Sequence, residues 1–158
     1  MIRVAIAVIG CLLALAACGS SSKPTVEPTT PLDQIQAAVD SSSADSPKVT
    51  NGKRTGLYVV TFKVHDNLSS GMIKAGIAMD VYDMAKHVKE SSAMPVAVEF
   101  RGTFPLVDQY GNKSTGVIFQ EMLLGSTIDR INYDNIDTTS LTGLENISDG
   151  KLKVNPTL

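Results

Sequence analysis

Ile73, Ile77, Val81, Met84 and Val88 recur at helical spacing, and at about 100° per residue they project onto one narrow stripe. A helix long enough to carry five such residues must bury that stripe, and the flanking segments say against what. Before it, Leu57 to Val64 alternates, with Tyr58, Val60, Phe62 and Val64 on one side and Thr61 and Lys63 on the other. After it, Val96, Val98, Phe100 and Phe104 alternate with Glu99, Arg101 and Thr103. Both read as half-buried strands. Gln109 to Lys113 has hairpin character, because Gly111 and Asn112 tolerate positive φ, and Val117 to Leu124 supplies a third strand. The order strand, long helix, strand, hairpin, strand predicts an α+β fold: a small, mostly antiparallel sheet with one long helix packed on one face.

Outside this core the signals are shorter. Thr30-Pro31 reads as an N-cap with proline in the first helical position, and Leu32, Ile35 and Val39 predict a short amphipathic helix near 31–40. Ser41 to Gly52 is rich in Ser, Asp, Pro and Asn and reads as a flexible joint, so the compact domain is expected over 53–137. Ser126 to Tyr133 predicts a short helix with Ile128 and Ile131 facing inward. The stretch 138–158 is polar with isolated Leu144, Ile147, Leu152 and Val154, which fits either a loosely docked tail or a late strand.

Arg3 precedes an apolar segment, Val4 to Leu15, of about a dozen residues, the length of a signal-peptide core and short of the roughly 20 needed to span a bilayer. Leu15-Ala16-Ala17-Cys18 follows it. This arrangement resembles the lipobox of bacterial lipoproteins. The resemblance implies that residues 1–17 form a signal peptide cut between Ala17 and Cys18, that the Cys18 thiol carries a diacylglyceryl group, and that the protein is exported and held at the outer face of a membrane. Two acyl chains suffice for stable anchoring where one gives only reversible binding. The stretch 18–52 is then a lipidated tether with the short helix within it; its first part, Gly19 to Pro31, is Ser-, Thr- and Pro-rich with too little apolar surface to fold.

Cysteine use agrees with that reading. Cys11 leaves with the signal peptide and the lipid consumes Cys18, so no thiol remains for a disulfide, a metal or a nucleophile, and the core alone must stabilise the domain. With 14 basic residues against 16 acidic ones and no basic run, nothing in the sequence argues for nucleic acid or for anionic headgroups as partners. Aromatic residues at 5%, without tryptophan, argue against a stacking groove for sugars or bases. No cofactor is expected.

Three groups of side chains are candidates for chemistry. Asp80, Asp83 and His87 share one flank of the long helix and are ordinary zinc-ligand types, although a solvated i, i+4 pair of Asp83 and His87 explains the same spacing. His65-Asp66 follows the first strand, where a general base could sit, yet no G-x-S-x-G elbow or S-x-x-K pairing accompanies it. Asp129, Asp134, Asp137, Glu145 and Asp149 make the last third acidic without the spacing of a calcium loop. An apolar cleft between helix and sheet, fit for a carried ligand, is a further expectation open to the chain.

The Val64-His65-Asp66-Asn67 turn, the Ala- and Met-bearing helix, Gly102 to Asp108 and Asp129 to Tyr133 are similar to small lipoproteins of actinobacteria and their temperate phages. Some phage lipoproteins of this size act in superinfection exclusion, blocking DNA entry by a later phage. The absence of a catalytic constellation leads to the expectation of a lipid-anchored, non-enzymatic binding module with a protein or envelope partner, within which superinfection exclusion is one specific role.

Overall fold

The computed structural model describes residues 29–66, 69–150 and 152–155. The signal segment, the cleavage before Cys18 and the Ser/Thr/Pro stretch up to residue 28 lie outside the described residues. The elements run α1 (Pro31–Asp40), β1 (Asp45–Asn51), β2 (Leu57–Lys63), α2 (Ser70–Glu90), β3 (Ala97–Val107), β4 (Lys113–Leu124), α3 (Gly125–Arg130), α4 (Leu141–Ile147) and β5 (Lys153–Val154).

Local chemistry sets the ends of these elements. The Thr30 hydroxyl accepts from the Asp33 N–H at 3.2 Å and the Asp33 carboxylate accepts from the Thr30 N–H at 3.3 Å, a reciprocal cap with Pro31 placed where no N–H is missed. Ser69 caps α2 by accepting from the Met72 N–H at 3.3 Å. Between β3 and β4, Asp108 accepts from the Tyr110 and Asn112 N–H groups, each at 2.8 Å, and Gly111 takes φ +83°.

The five strands lie in sequence order in one mixed sheet. β1–β2, β3–β4 and β4–β5 are antiparallel, whereas β2–β3 is parallel because α2 carries the chain back across the sheet. The α+β class, the mostly antiparallel sheet and the long helix over one face are as the alternation predicts. The α2 stripe of Ile73, Ile77, Val81, Met84 and Val88 is buried throughout, in one core with Val60 and Phe62 of β2, Val64 just after it, Val98 and Phe100 of β3, and Phe119 and Leu123 of β4. Phe62 and Phe119 meet edge to face with centroids 6.5 Å apart.

Every helix contributes to this one core: Ile35 and Val39 from α1, Ile128 from α3 and Leu144 from α4. The opposite face of the sheet is a separate surface. Val59 and Ala97 are buried there among neighbouring side chains yet belong to no part of the core. Among the described residues, no helix covers them.

Three expectations are corrected. The stretch 41–52 is no flexible joint, since β1 runs through it and Val49 enters the core; the folded domain therefore starts at Thr30 rather than at Lys53. Its other limit, at residue 137, also falls, because 138–158 holds α4, whose Leu144 is 0% exposed, and the late strand β5, with the Asp149 N–H donating to Met122 O at 3.1 Å between them. Val96 precedes β3 and is exposed, so it does not share the buried face of Val98 and Phe100.

Candidate functional site

The sequence candidates fall into two places. His65, just past β2, is exposed, yet its charge bears on Asp80 of α2 and on Asp45 at the start of β1. The fold thus brings together an imidazole and a carboxylate that belong to different sequence candidates. Asp80 is only 8% exposed, and burial pushes its carboxyl up to about 6, with nearby His65 opposing the shift and Asp83 and Asp45 adding to it. Asp45 goes the other way, held below the usual carboxylate range by the Ser46 hydroxyl, with Lys63 and His65 helping. Asp66 is exposed, and no contact joins it to this group.

Asp83 and His87 do form the i, i+4 pair, at 3.7 Å, with Glu90 3.9 Å from the other ring nitrogen. Asp83 is already engaged, however. Its Oδ2 accepts from the Ser43 backbone N–H at 2.7 Å and from the Ser43 hydroxyl at 2.8 Å, which ties the turn after α1 to α2. Among the described residues no group of three His, Cys, Asp or Glu side chains is placed to hold a metal ion. Asp80, Asp83 and His87 share a helix flank without converging on a point.

A different site had no sequence signal. Between α3, the loop that follows it and the end of α4 lies a groove of about 600 Å³. Arg130, Asn132 and Asn135 line it from α3 and the loop that follows, Asn146, Ser148 and Asp149 from α4 and its end, and Ile131, Ile136 and Ile147 add apolar surface. Carboxamides both donate and accept, so such a groove can read a polar chain while its isoleucines take up apolar groups. The wall also includes Thr127, buried on α3.

Beneath this region the core holds polar atoms that it does not satisfy. Thr127 Oγ1, Tyr82 Oη and Glu121 Oε2 are buried without a hydrogen-bond partner among the described residues. A group left so costs about 1–3 kcal/mol, and native cores hold few of them. Glu121 lies on the covered face of β4 and is 1% exposed; one oxygen accepts from the Met122 N–H at 3.0 Å. Burial holds its carboxyl above the ordinary range, with Asp149 and Glu145 of the docked C-terminal segment adding to the shift and the Met122 N–H opposing it; the Ser148 hydroxyl nearby donates to the Gly150 carbonyl at 2.6 Å. Burial likewise raises the Tyr82 hydroxyl, Asp137 and Glu121 adding to it. Periodicity marks position 121 as inward-facing and 82 as part of a helix, but a lone inward glutamate gives no pattern that a sequence reading can use.

Comparison with known proteins finds no matching family model, no similar curated protein and no similar solved structure.

Proposed function

We propose that this chain is a lipid-anchored cell-envelope protein whose domain, from Thr30 onward, is a non-enzymatic binding module. The observation that carries the reading is the lipobox Leu15-Ala16-Ala17-Cys18 behind Arg3 and its apolar run, placed only a dozen residues before the first capped helix. The α3–α4 groove supports the second half of the reading, because its carboxamides and apolar floor suit a partner's polypeptide segment. The engagement of Asp83 by Ser43 speaks in the same direction, since it gives that carboxylate a structural use.

Anchoring is tested with two variants. Cys18→Ala is expected to release the protein or leave the uncleaved precursor in the membrane, and Cys11→Ala to change nothing. Equal behaviour of the two, or an intact mass showing a bare Cys18 sulfur with Met1 retained, contradicts it. Binding is tested by crosslinking in intact cells with wild type and an Asn135→Ala/Asn146→Ala variant; a partner captured equally by both removes the groove from the proposal. Superinfection exclusion is the specific role that the resemblance to phage lipoproteins suggests. Challenge of expressing cells with several phages, scored by adsorption, DNA entry and plaque count, tests it, and unchanged values throughout end it.

A further inference from the structure

The uncovered face of the sheet carries a charge pattern that appears nowhere in the linear sequence. Cross-strand register places Lys48 of β1 beside Thr61, Thr61 beside Arg101, Arg101 beside Gln120, and Gln120 beside Lys153 of β5. One lateral row therefore crosses the whole sheet with a cation on its first, third and fifth strands. Partners in register point to the same side, and Thr61 and Arg101 are out of phase with the core residues Val60, Phe62 and Phe100, so the row lies on the uncovered face. Lys63 of β2 and Lys113 of β4 fall on the same face, so each strand contributes one cation.

Among the described residues the register puts two acidic residues on this face: Asp45, which opposes Lys63 and accepts from the Ser46 hydroxyl at 2.6 Å, and Glu99, which is already used. Its Oε1 accepts from Arg101 Nε at 2.9 Å and from the Gln120 amide, and the residue is buried. The lysines remain exposed. A chain with more acidic than basic residues thus presents a cationic sheet face while most of its carboxylates lie on helices and loops. Beyond Glu99, the row Leu57, Ala97 and Leu124 is apolar.

We propose that this face docks on the anionic surface of a phospholipid bilayer. Lysines near such a surface are drawn to its headgroups, and the exposed Val117 and Leu124 with the half-buried Leu57 offer contact with the acyl boundary. Phosphates of nucleic acid would meet the same cations but leave these apolar side chains without a use, and among the described residues the register puts no aromatic side chain on this face to stack a base. The inference rests on the lipid-anchor reading only for bringing a bilayer within reach. The chain from Cys18 to Thr30 extends at most about 40 Å.

The test uses the mature protein from its producing cells, reconstituted in vesicles of phosphatidylglycerol with phosphatidylcholine or of phosphatidylcholine alone. Single cysteines carry an environment-sensitive dye at Thr50 or Val117 on the open face, and at Met79 on the far side of α2; a lipid-borne quencher reports proximity. Dyes at Thr50 and Val117 are expected to be quenched on the anionic vesicles only, with Met79 unaffected. Molar salt, or the combined Lys48→Glu, Lys113→Glu and Lys153→Glu variant, should weaken that quenching by about tenfold or more. Unchanged far-ultraviolet circular dichroism shows that the variant is folded, and the lysine-to-glutamine version, expected to fall between, serves if it is not. Equal quenching on both vesicle types, quenching strongest at Met79, or retention of a nucleic acid duplex with no vesicle preference overturns the inference. Intact mass on the same preparation reads the state of Cys18 independently, so a bare sulfur removes the anchor while the dyes still decide the face.

Discussion

Asp83, on α2, receives both the backbone N–H and the hydroxyl of Ser43, at 2.7 and 2.8 Å, across a separation of 40 residues. That contact fastens the turn between α1 and β1 onto the helix at the centre of the fold. It also explains why a carboxylate that looks like a ligand in the sequence serves as an anchor point here.

Asp83→Ala removes the acceptor of both bonds at once. The expected loss is about 1–2 kcal/mol, since the site is part-exposed and water replaces some of the bonding. Urea denaturation measures it, and amide exchange over 41–44 should accelerate. An unchanged urea midpoint would show that the contact contributes nothing.

Asp80 makes stability depend on pH with a sign opposite to that of a salt-bridged carboxylate. Its carboxyl is raised from 3.8 to about 6 in the folded state, so between these values the folded chain holds a proton that the unfolded chain releases. Stability from this group is therefore greatest below about pH 4, and falls as pH rises through about 6. Asp80→Asn should raise stability at pH 7.5 by about 1–3 kcal/mol and have little effect at pH 4. Thermal melts of both proteins across that range check it; a constant difference at all pH values contradicts the assignment.

Tyr82 separates packing from polarity. Its ring is almost wholly buried while its hydroxyl finds no partner among the described residues. Tyr82→Phe should be neutral or stabilising by up to about 1 kcal/mol, whereas Tyr82→Ala should cost about 3–5 kcal/mol through the cavity it leaves. A large loss in the phenylalanine variant, measured by urea midpoint, would reveal a bond to that hydroxyl.

Gly125 sits where β4 turns into α3, and a Cβ there would lie 2.1 Å from the Pro95 carbonyl oxygen. Gly125→Ala must displace backbone and should cost about 2 kcal/mol or more. Gly71→Ala in the first turn of α2 meets only the Ser69 Oγ, at an ordinary contact distance of 3.9 Å, and should be neutral or slightly stabilising. Melting temperatures of the pair decide it, and equal effects would count against the close approach.

What was legible in the sequence follows from how much periodic signal each element carries. β2 and α2 announce themselves because several consecutive turns or alternations agree, and the capped start of α1 is local chemistry that Thr30, Pro31 and Asp33 spell out. β1 does not, because it is an edge strand with Ser46 and Pro47 inside it and only Val49 deeply buried; proline is tolerated on an edge and gives the appearance of a loop. α4 is missed for a similar reason, one buried leucine being no pattern. The approach of His65 to Asp80 and the cationic row from Lys48 to Lys153 depend on register and on which helix covers which face. Neither quantity exists in a linear reading of charges, so a chain without a basic run still assembles a basic surface.

The joint between α1 and β1 bears on how the domain answers a mechanical load. Gln36 accepts from the Val49 N–H at 2.7 Å and donates to the Pro47 carbonyl at 3.1 Å, using the outer groups of the edge strand. Tension arriving at residue 30 therefore meets this double stitch, and the plug formed by Ile35 and Val39, before it can peel β1 from β2. The first helix acts as a strain relief, keeping a tug on the leading end of the domain from unzipping its sheet.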